Sequence, residues 1–225
     1  MYKNLDLLSL IKKIEITHFD LKHYVMDIKY NFKKSNNNII ERNQRIIIFG
    51  LNENLKLLNS EFTTEFFVDS TFKIIPSEYR PYKLFILAGI PEKENKSIIN
   101  CFIFIKYLDI YTYDKIFNYL SENFNFHPKV IVSDFESALH TAIKNNQYMK
   151  EKVIHIKCFF HFTKMIKTHL MKTGIFKHKM NKYSIEIMRN IQIICFINKD
   201  KIKKLKEIIL DKLKENNNLK NLISY

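Results

Sequence analysis

The chain has 225 residues, of which 46% are hydrophobic and 27% charged, with only three glycines and four prolines. This composition is typical of a globular protein and disfavours disorder, collagen-like sequence and repeat arrays. The longest apolar run, at residues 84–90, has seven residues, far fewer than the roughly 18 that a membrane span requires. We therefore expect one large domain, or a domain with an appendage, that has no membrane partner.

The N-terminus and the cysteines favour an intracellular protein. The first residues lack the basic and then apolar pattern of a secretory signal peptide. The three cysteines are odd in number and too sparse for a disulfide framework. They are Cys101, Cys158 and Cys195.

The formal net charge of +14 is concentrated in the C-terminal third. Residues 1–149 carry 19 basic and 17 acidic side chains, a net charge of +2, whereas residues 150–225 carry 18 and 6, a net charge of +12. Such a cationic block favours a polyanionic partner, above all nucleic acid. The alternative is that lysine fills solvated helix faces, because isoleucine, lysine and asparagine make up 91 residues; that bias, however, would act on both parts of the chain alike.

Residues 1–60 are predicted to be an auxiliary, mainly helical lead-in. Four apolar residues recur at helical spacing before a polar loop at residues 35–38. They are Leu21, Val25, Ile28 and Phe32. Residues 45–49 are expected to form a short strand, and residues 51–59 a short helix that leads into the core.

From Glu65 onward the apolar residues alternate with a period of two, which indicates a strand. Five strands are expected, at residues 65–74, 82–90, 98–108, 129–133 and 153–157. The first three, joined by short connections, predict an antiparallel meander, and the last two follow helices. The crossover before the fourth strand places it parallel to a neighbour. This α/β layout is that of the ribonuclease H-like fold, in which the fourth strand lies beside the first.

Two aspartates lie where strands run out of apolar neighbours. Asp69 interrupts the first strand of the meander, and Asp134 ends the fourth strand. On adjacent strands these carboxylates would face each other at about 5 Å, and such a pair is a natural ligand set for Mg²⁺. Asp134 could instead be the N-cap of the next helix, with Glu136 in its first turn. Asp69 has no such alternative, since an unpaired aspartate in an apolar strand is costly.

A C-x-x-H pair follows the fifth strand. Cys158 and His161 could bind zinc, for which His155, His169 and Cys195 are further ligand candidates. A structural zinc site needs four ligands, and no second pair of this kind follows. A buried thiol and a hydrogen-bonded histidine at the start of a helix are therefore the favoured interpretation.

Three sequence blocks, in this order, resemble Mutator-like element (MULE) transposases. The segment D-S-T-F-K-I-I-P, beginning at Asp69, resembles the family's D-G-T-F-x-x-x-P block, and D-F-E-S-A, beginning at Asp134, resembles its D-F-E-x-A block. The segment K-C-F-F-H-F around Cys158 and His161 looks like its C-x-x-H block. The resemblance covers roughly residues 45–172. Ser70 stands where glycine is usual, and the tyrosine at 82 lacks the usual preceding glutamine.

The resemblance implies a DDE-type catalytic core, in which three carboxylates hold two divalent metals for attack on DNA phosphorus. Asp69 and Asp134 match the first two carboxylates, with Mg²⁺ or Mn²⁺ as the cofactor. The family's third carboxylate, a glutamate, follows a helical insertion, and the acidic candidates on later helices do not match its setting. They are Glu186, Glu207 and Glu215. We therefore expect this chain to lack the third ligand and to be a C-terminally truncated form.

The implied organisation has a lead-in at 1–60, a transposase core at 61–172 and a basic helical extension at 173–225. The implied partners are double-stranded DNA, as the element's terminal inverted repeats and as target DNA, and a second copy of the chain as a further candidate. The implied place of action is the nucleus. The leading hypothesis is strand cleavage and transfer during DNA transposition. The alternative is a decayed or domesticated fragment that binds DNA without cutting it. Another type of ribonuclease H-like nuclease would need a third carboxylate soon after the fifth strand, and residues 152–185 contain none.

Overall fold

The computed structural model describes residues 21–33, 39–71, 75, 81–172 and 182–214. Within these ranges seven strands form one sheet. They are β1 (Leu21–Lys33), β2 (Ile39–Leu51), β3 (Thr63–Thr71), β4 (Lys83–Pro91), β5 (Ile98–Ile105), β6 (Val130–Ser133) and β7 (Ile154–Lys157). The α-helices are α1 (Asn52–Lys56), α2 (Ile110–Phe124), α3 (Ser137–Asn145), α4 (Phe159–Lys172), α5 (Lys182–Ile193) and α6 (Lys199–Lys214). The predicted α/β class is confirmed.

The strand order across the sheet is β1-β2-β5-β4-β3-β6-β7. Strands β3, β4 and β5 form the predicted antiparallel meander. Strand β6 then pairs with β3 in parallel, as expected for a strand that follows a helical crossover. The fourth predicted strand therefore does lie beside the first one of the meander.

One face of the sheet carries the main hydrophobic core. Alternate residues of β3 point into it, so that Phe66 and Val68 are buried. Helix α2 contributes four residues at the i, i+3, i+4, i+7 spacing of a single helix face. They are Tyr113, Ile116, Phe117 and Leu120. Burial of each such side chain contributes about 1.5–3 kcal/mol to stability, which fixes α2 across the meander.

The prediction of a helix at residues 21–32 is wrong. These residues form β1, which pairs along its whole length with β2 in an antiparallel hairpin. Tyr24, Met26 and Ile28 all pack against the core, whereas Val25 is exposed. This alternation has a period of two, which places alternate side chains on opposite faces of a strand. A helix would not separate these side chains in this way. The lead-in is thus part of the sheet, because β2 also pairs with β5.

Other predictions for the lead-in agree with the structure. Residues 45–49 lie within β2, and α1 falls inside the predicted helix at 51–59. The expected polar loop at 35–38 and the end of the first meander strand, at 72–74, lie outside the described residues.

The chain divides into two compact units, and the boundary between them in the sequence lies between Ile156 and Lys157. The second unit contains α4, α5, a short 3₁₀ turn at Ile194–Phe196, and α6. Phe159 and Phe196 form an edge-on ring contact there, and Leu170 and Ile209 are buried. The predicted domain boundaries at 60/61 and 172/173 stay predictions. No helix in the described ranges combines the length and the apolar character needed to cross a bilayer.

Candidate active site

The two predicted aspartates follow a matched pair of positions on neighbouring strands. In the parallel pairing of β3 with β6, Val68 lies opposite Ser133. Asp69 is the next residue on β3, and Asp134 is the next residue after β6. The structure therefore confirms that both aspartates come from adjacent parallel strands, at the same edge of the sheet. The predicted approach of their carboxylates within about 10 Å, the range of a metal-sharing pair, stays a prediction.

Asp69 lies on the sheet face opposite the main core. Along β3, Phe66 and Val68 are buried, whereas Phe67 and Asp69 are exposed. Since side chains alternate between the two faces of a strand, Asp69 projects away from α2. Its neighbour Ser70 projects toward α2, where its hydroxyl lies 3.4 Å from that of Tyr113. Asp69 is therefore accessible to solvent and to a ligand.

Asp134 shapes the turn between β6 and α3. Its Oδ1 accepts a hydrogen bond of 3.1 Å from the backbone N–H of Glu136, an Asx-turn geometry. The alternative that Asp134 is the helix N-cap is corrected by the structure. Glu136 occupies the N-cap position of α3, and its carbonyl accepts the bond from the N–H of His140. The turn leaves Asp134 half-buried at the carboxyl end of β6.

Glu136 brings a third carboxylate close to Asp134. Its Oε2 accepts a hydrogen bond of 2.8 Å from the hydroxyl of Tyr113. The Tyr113 ring is fully buried between α2 and the sheet, with Phe85 at 5.4 Å between ring centroids. The phenol is therefore a fixed donor that holds the Glu136 side chain in one orientation.

Burial has the largest effect on the pKa values of the Glu136 carboxyl and the Tyr113 phenol. Burial raises the pKa of the Glu136 carboxyl above its ordinary value. The hydrogen bond from Tyr113 lowers this pKa, the charge of Asp134 raises it, and the ammonium group of Lys83 lowers it, in decreasing order of effect. Burial also raises the pKa of the Tyr113 phenol, which keeps the phenol protonated and a donor at neutral pH.

The C-x-x-H pair lies at the start of α4. The carbonyl of Cys158 accepts the first helical hydrogen bond, from the N–H of Phe162. Cys158 and His161 are both half-buried; Cys158 directly precedes α4, and His161 lies in the first turn of that helix. Of the other candidate ligands, His169 and Cys195 are exposed. Zinc binding by Cys158 and His161 stays a prediction.

The candidates for the third DDE carboxylate lie on the helices of the second unit. Glu186 on α5 and Glu207 on α6 are both exposed, and Glu215 lies outside the described residues. Within the described ranges, no three His, Cys, Asp or Glu side chains are grouped closely enough to hold a metal ion. Two carboxylates remain compatible with Mg²⁺, because that ion keeps several waters and uses one or two protein carboxylates.

Sequence reasoning missed the role of Glu136 and did not single out Tyr113. Glu136 comes two residues after Asp134, and a favourable charge near the start of a helix is a sufficient reason for a glutamate at that position. Tyr113 matches the apolar face of α2 and is explained fully as a core residue. Only the contact across 23 residues of sequence joins them, and no local pattern carries that information.

No protein-family model matches this chain, and no curated protein matches it.

Proposed function

We propose that this chain is the DDE-type catalytic core of a Mutator-like element transposase, on a ribonuclease H-like fold. The observation that carries the proposal is the parallel pairing of β3 with β6, in which Val68 opposite Ser133 brings Asp69 and Asp134 to one edge of the sheet. The strand order β5-β4-β3-β6-β7 supports the fold, since it is a three-stranded meander extended by two further strands on the β3 side.

In this proposal Asp69 and Asp134 would hold Mg²⁺ or Mn²⁺, and the fit rests on the chemistry of the donors. Both side chains offer hard carboxylate oxygens, which such ions prefer. A metal held there would supply activation of a water or a DNA 3′-hydroxyl and stabilisation of the leaving oxygen. Asp134 is oriented by the N–H of Glu136, and Glu136 is itself oriented by Tyr113. These contacts restrict the movement of the Asp134 and Glu136 carboxylates before any ligand arrives.

The second unit would supply contacts to the DNA backbone. On α6, Lys203, Lys204 and Lys206 are exposed while Ile209 is buried, so this part of the helix presents a cationic side. On α4, Lys164 and Lys167 are also exposed. Such groups bind phosphate without reading base sequence. The proposed substrate is thus duplex DNA, as the ends of a transposable element and its target, and the proposed place of action is the nucleus.

The second candidate is a fragment that binds DNA without cutting it. The observation that favours it is that the described residues hold no group of three potential ligands suited to a metal ion. A two-metal reaction needs a further negative ligand to fix the separation of the ions. In this candidate the two aspartates descend from a catalytic site that no longer cuts DNA, and the lysines still bind DNA.

Metal binding and DNA cleavage together test the two candidates. Titration with Mn²⁺, followed by electron paramagnetic resonance, should detect an ion bound to the unaltered chain. Asp69→Asn or Asp134→Asn should weaken this binding. Asp114→Asn is the matched control, because this aspartate lies on α2 and its carboxylate pairs with Asn118 and Asn146. If Asp69→Asn and Asp134→Asn leave Mn²⁺ binding unchanged, the proposed site is wrong.

Cleavage separates the catalytic core from the non-cutting fragment. The substrate is duplex DNA that carries element ends, incubated with Mn²⁺ and either this chain or a form extended at its C-terminus. Cutting by either protein, abolished by Asp134→Asn, supports the transposase. Binding of DNA without cutting by both proteins supports the second candidate.

A further inference from the structure

A pair of histidines, one on α3 and one on β7, meets beside the end of β6. Nδ1 of His140, on α3, lies 3.0 Å from Nδ1 of His155, on β7. The two rings are stacked, with centroids 5.1 Å apart and planes inclined by 28°. His140 is exposed and His155 is half-buried. The two nitrogens therefore approach each other at a place that solvent ions can reach.

The contacts around Ser133 favour one tautomer of His155. The Ser133 hydroxyl donates its hydrogen to the carbonyl of Asp134 at 3.0 Å. Its oxygen lies 2.7 Å from Nε2 of His155. While the hydroxyl hydrogen is directed at that carbonyl, the oxygen is the acceptor in its contact with His155, and Nε2 is the donor. In the neutral ring this assigns the proton to Nε2 and leaves a lone pair on Nδ1, which faces His140.

This arrangement has the features of a metal ligand with its supporting contact. A histidine that binds a metal commonly donates its other ring N–H to a fixed acceptor, which sets the tautomer and the ring orientation. Ser133 is such an acceptor, because its side chain is buried at 1% exposure. Two nitrogens bound to one tetrahedral zinc ion at 2.0–2.1 Å are roughly 3.3 Å apart. The observed distance of 3.0 Å between the two nitrogens is close to that value, and a small rotation of the exposed His140 ring would close the difference.

We propose that His140 and His155 bind a borderline divalent cation, zinc in the first instance, through their Nδ1 atoms. Water completes the coordination, since the two rings are the ligands that the geometry assigns. The imidazole donors select zinc, nickel or copper over magnesium, which prefers oxygen. The proposed ligands are residues other than Asp69 and Asp134, and the proposal does not rest on the proposed function.

The test is a zinc titration of the full chain, observed through the ring nitrogens of the histidines by NMR. Zinc should shift the Nδ1 signals of His140 and His155 together, whereas Mg²⁺ at the same concentration should not. His140→Gln should weaken zinc binding at this site at least tenfold, and it should leave the zinc-free protein folded because the ring is exposed. His127→Gln is the control, since His127 is another exposed histidine of the first unit.

A second variant tests the supporting contact. Ser133→Ala removes the acceptor for Nε2 of His155 and should weaken zinc binding by about 10- to 100-fold, the range typical of such outer contacts. Two results overturn the proposal. One is zinc binding that Cys158→Ser abolishes and His140→Gln leaves intact, which assigns the metal to the C-x-x-H pair. The other is an absence of zinc-induced change at both rings, which leaves the pair as a proton-sharing contact only.

Discussion

The hydroxyl of Tyr113 donates a 2.8 Å hydrogen bond to Oε2 of Glu136, and this bond joins the buried face of α2 to the turn after β6. The turn contains Asp134, whose carboxylate accepts the N–H of Glu136. A rigid core residue thus restrains the Glu136 carboxylate and the turn that contains Asp134, although Tyr113 is not itself a candidate ligand. Support of this kind is what a preorganised site requires.

Tyr113→Phe tests the support directly. The variant keeps the ring in the core and removes the donor to Glu136, which is left with a partly desolvated carboxylate. We expect the free energy of unfolding to fall by about 1–3 kcal/mol, measured by urea denaturation. Tyr148→Phe is a matched control, because Tyr148 donates to Glu122 at 3.2 Å on the surface. The control should change stability by less than about 0.5 kcal/mol, and equal losses in the two variants would contradict the argument.

The raised pKa of Glu136 predicts how stability depends on pH. Because the folded protein holds this proton more tightly than the unfolded chain, stability from this group is greatest at low pH. It declines as pH rises from the ordinary value of 4.5 through the higher pKa of the folded state. Glu136→Gln should remove this decline and make the protein more stable than the unaltered chain at neutral pH.

The measurement is thermal unfolding across pH 4 to 8 in the presence of a chelator, so that no metal contributes. Glu122→Gln provides the comparison, since Glu122 is an exposed glutamate that also accepts from a tyrosine. A decline that persists unchanged in Glu136→Gln would assign the pH dependence to other groups.

The strands of the core could be predicted from sequence because two kinds of information agree there. In β3, β4 and β5 the apolar alternation or run coincides with β-branched and aromatic residues and ends at turn-forming residues. The crossover rule then gives the parallel pairing of β6 with β3. From these two inferences the positions of Asp69 and Asp134 follow.

The N-terminal hairpin could not be predicted in the same way. In β1, Leu21, Val25, Ile28 and Phe32 match a helical spacing, although the same segment also alternates with a period of two. What decides between the two periods is pairing with β2 and packing on the core. Both are long-range contacts, and the local pattern does not contain them.

A partly buried ion pair ties this hairpin to the core. Arg42 on β2 donates to Asp109 at 2.6 Å, and its guanidinium lies 3.5 Å from the centre of the Phe32 ring. Asp109 also caps α2 by accepting the N–H of Thr112 at 2.9 Å. The pair therefore joins the hairpin to the N-terminus of the helix that carries Tyr113.

Arg42→Met should lower the free energy of unfolding by about 1–3 kcal/mol, because it leaves the Asp109 carboxylate with fewer donors in a poorly solvated place. Arg45→Met is the matched control on the same strand. Arg45 binds Asp27 at 2.8 Å, but both side chains are exposed, at 39% and 62%. An exposed pair of this kind contributes about 0–1 kcal/mol. Urea denaturation of both variants makes the comparison, and a larger loss in Arg45→Met would contradict it.

The cationic side of α6 predicts a salt-dependent affinity for duplex DNA. Lys203, Lys204 and Lys206 are exposed, so their charges are available to phosphate. Each phosphate contact releases counterions, and the logarithm of the binding constant falls with the logarithm of salt concentration by about 0.9 per contact. Replacement of all three lysines by glutamine should reduce the slope by about 0.9 for each lysine that contacts DNA. The measurement is fluorescence anisotropy with a labelled duplex at several salt concentrations.

The control replaces three exposed lysines of the first unit, Lys93, Lys96 and Lys144, by glutamine. It removes the same total charge but leaves α6 intact, so it should weaken binding slightly and leave the slope nearly unchanged. Equal changes of slope in the two variants would mean that net charge, not the surface of α6, determines binding. A binding constant that does not depend on salt would show that the lysines make no phosphate contacts, and would leave them as solvated residues on helix faces.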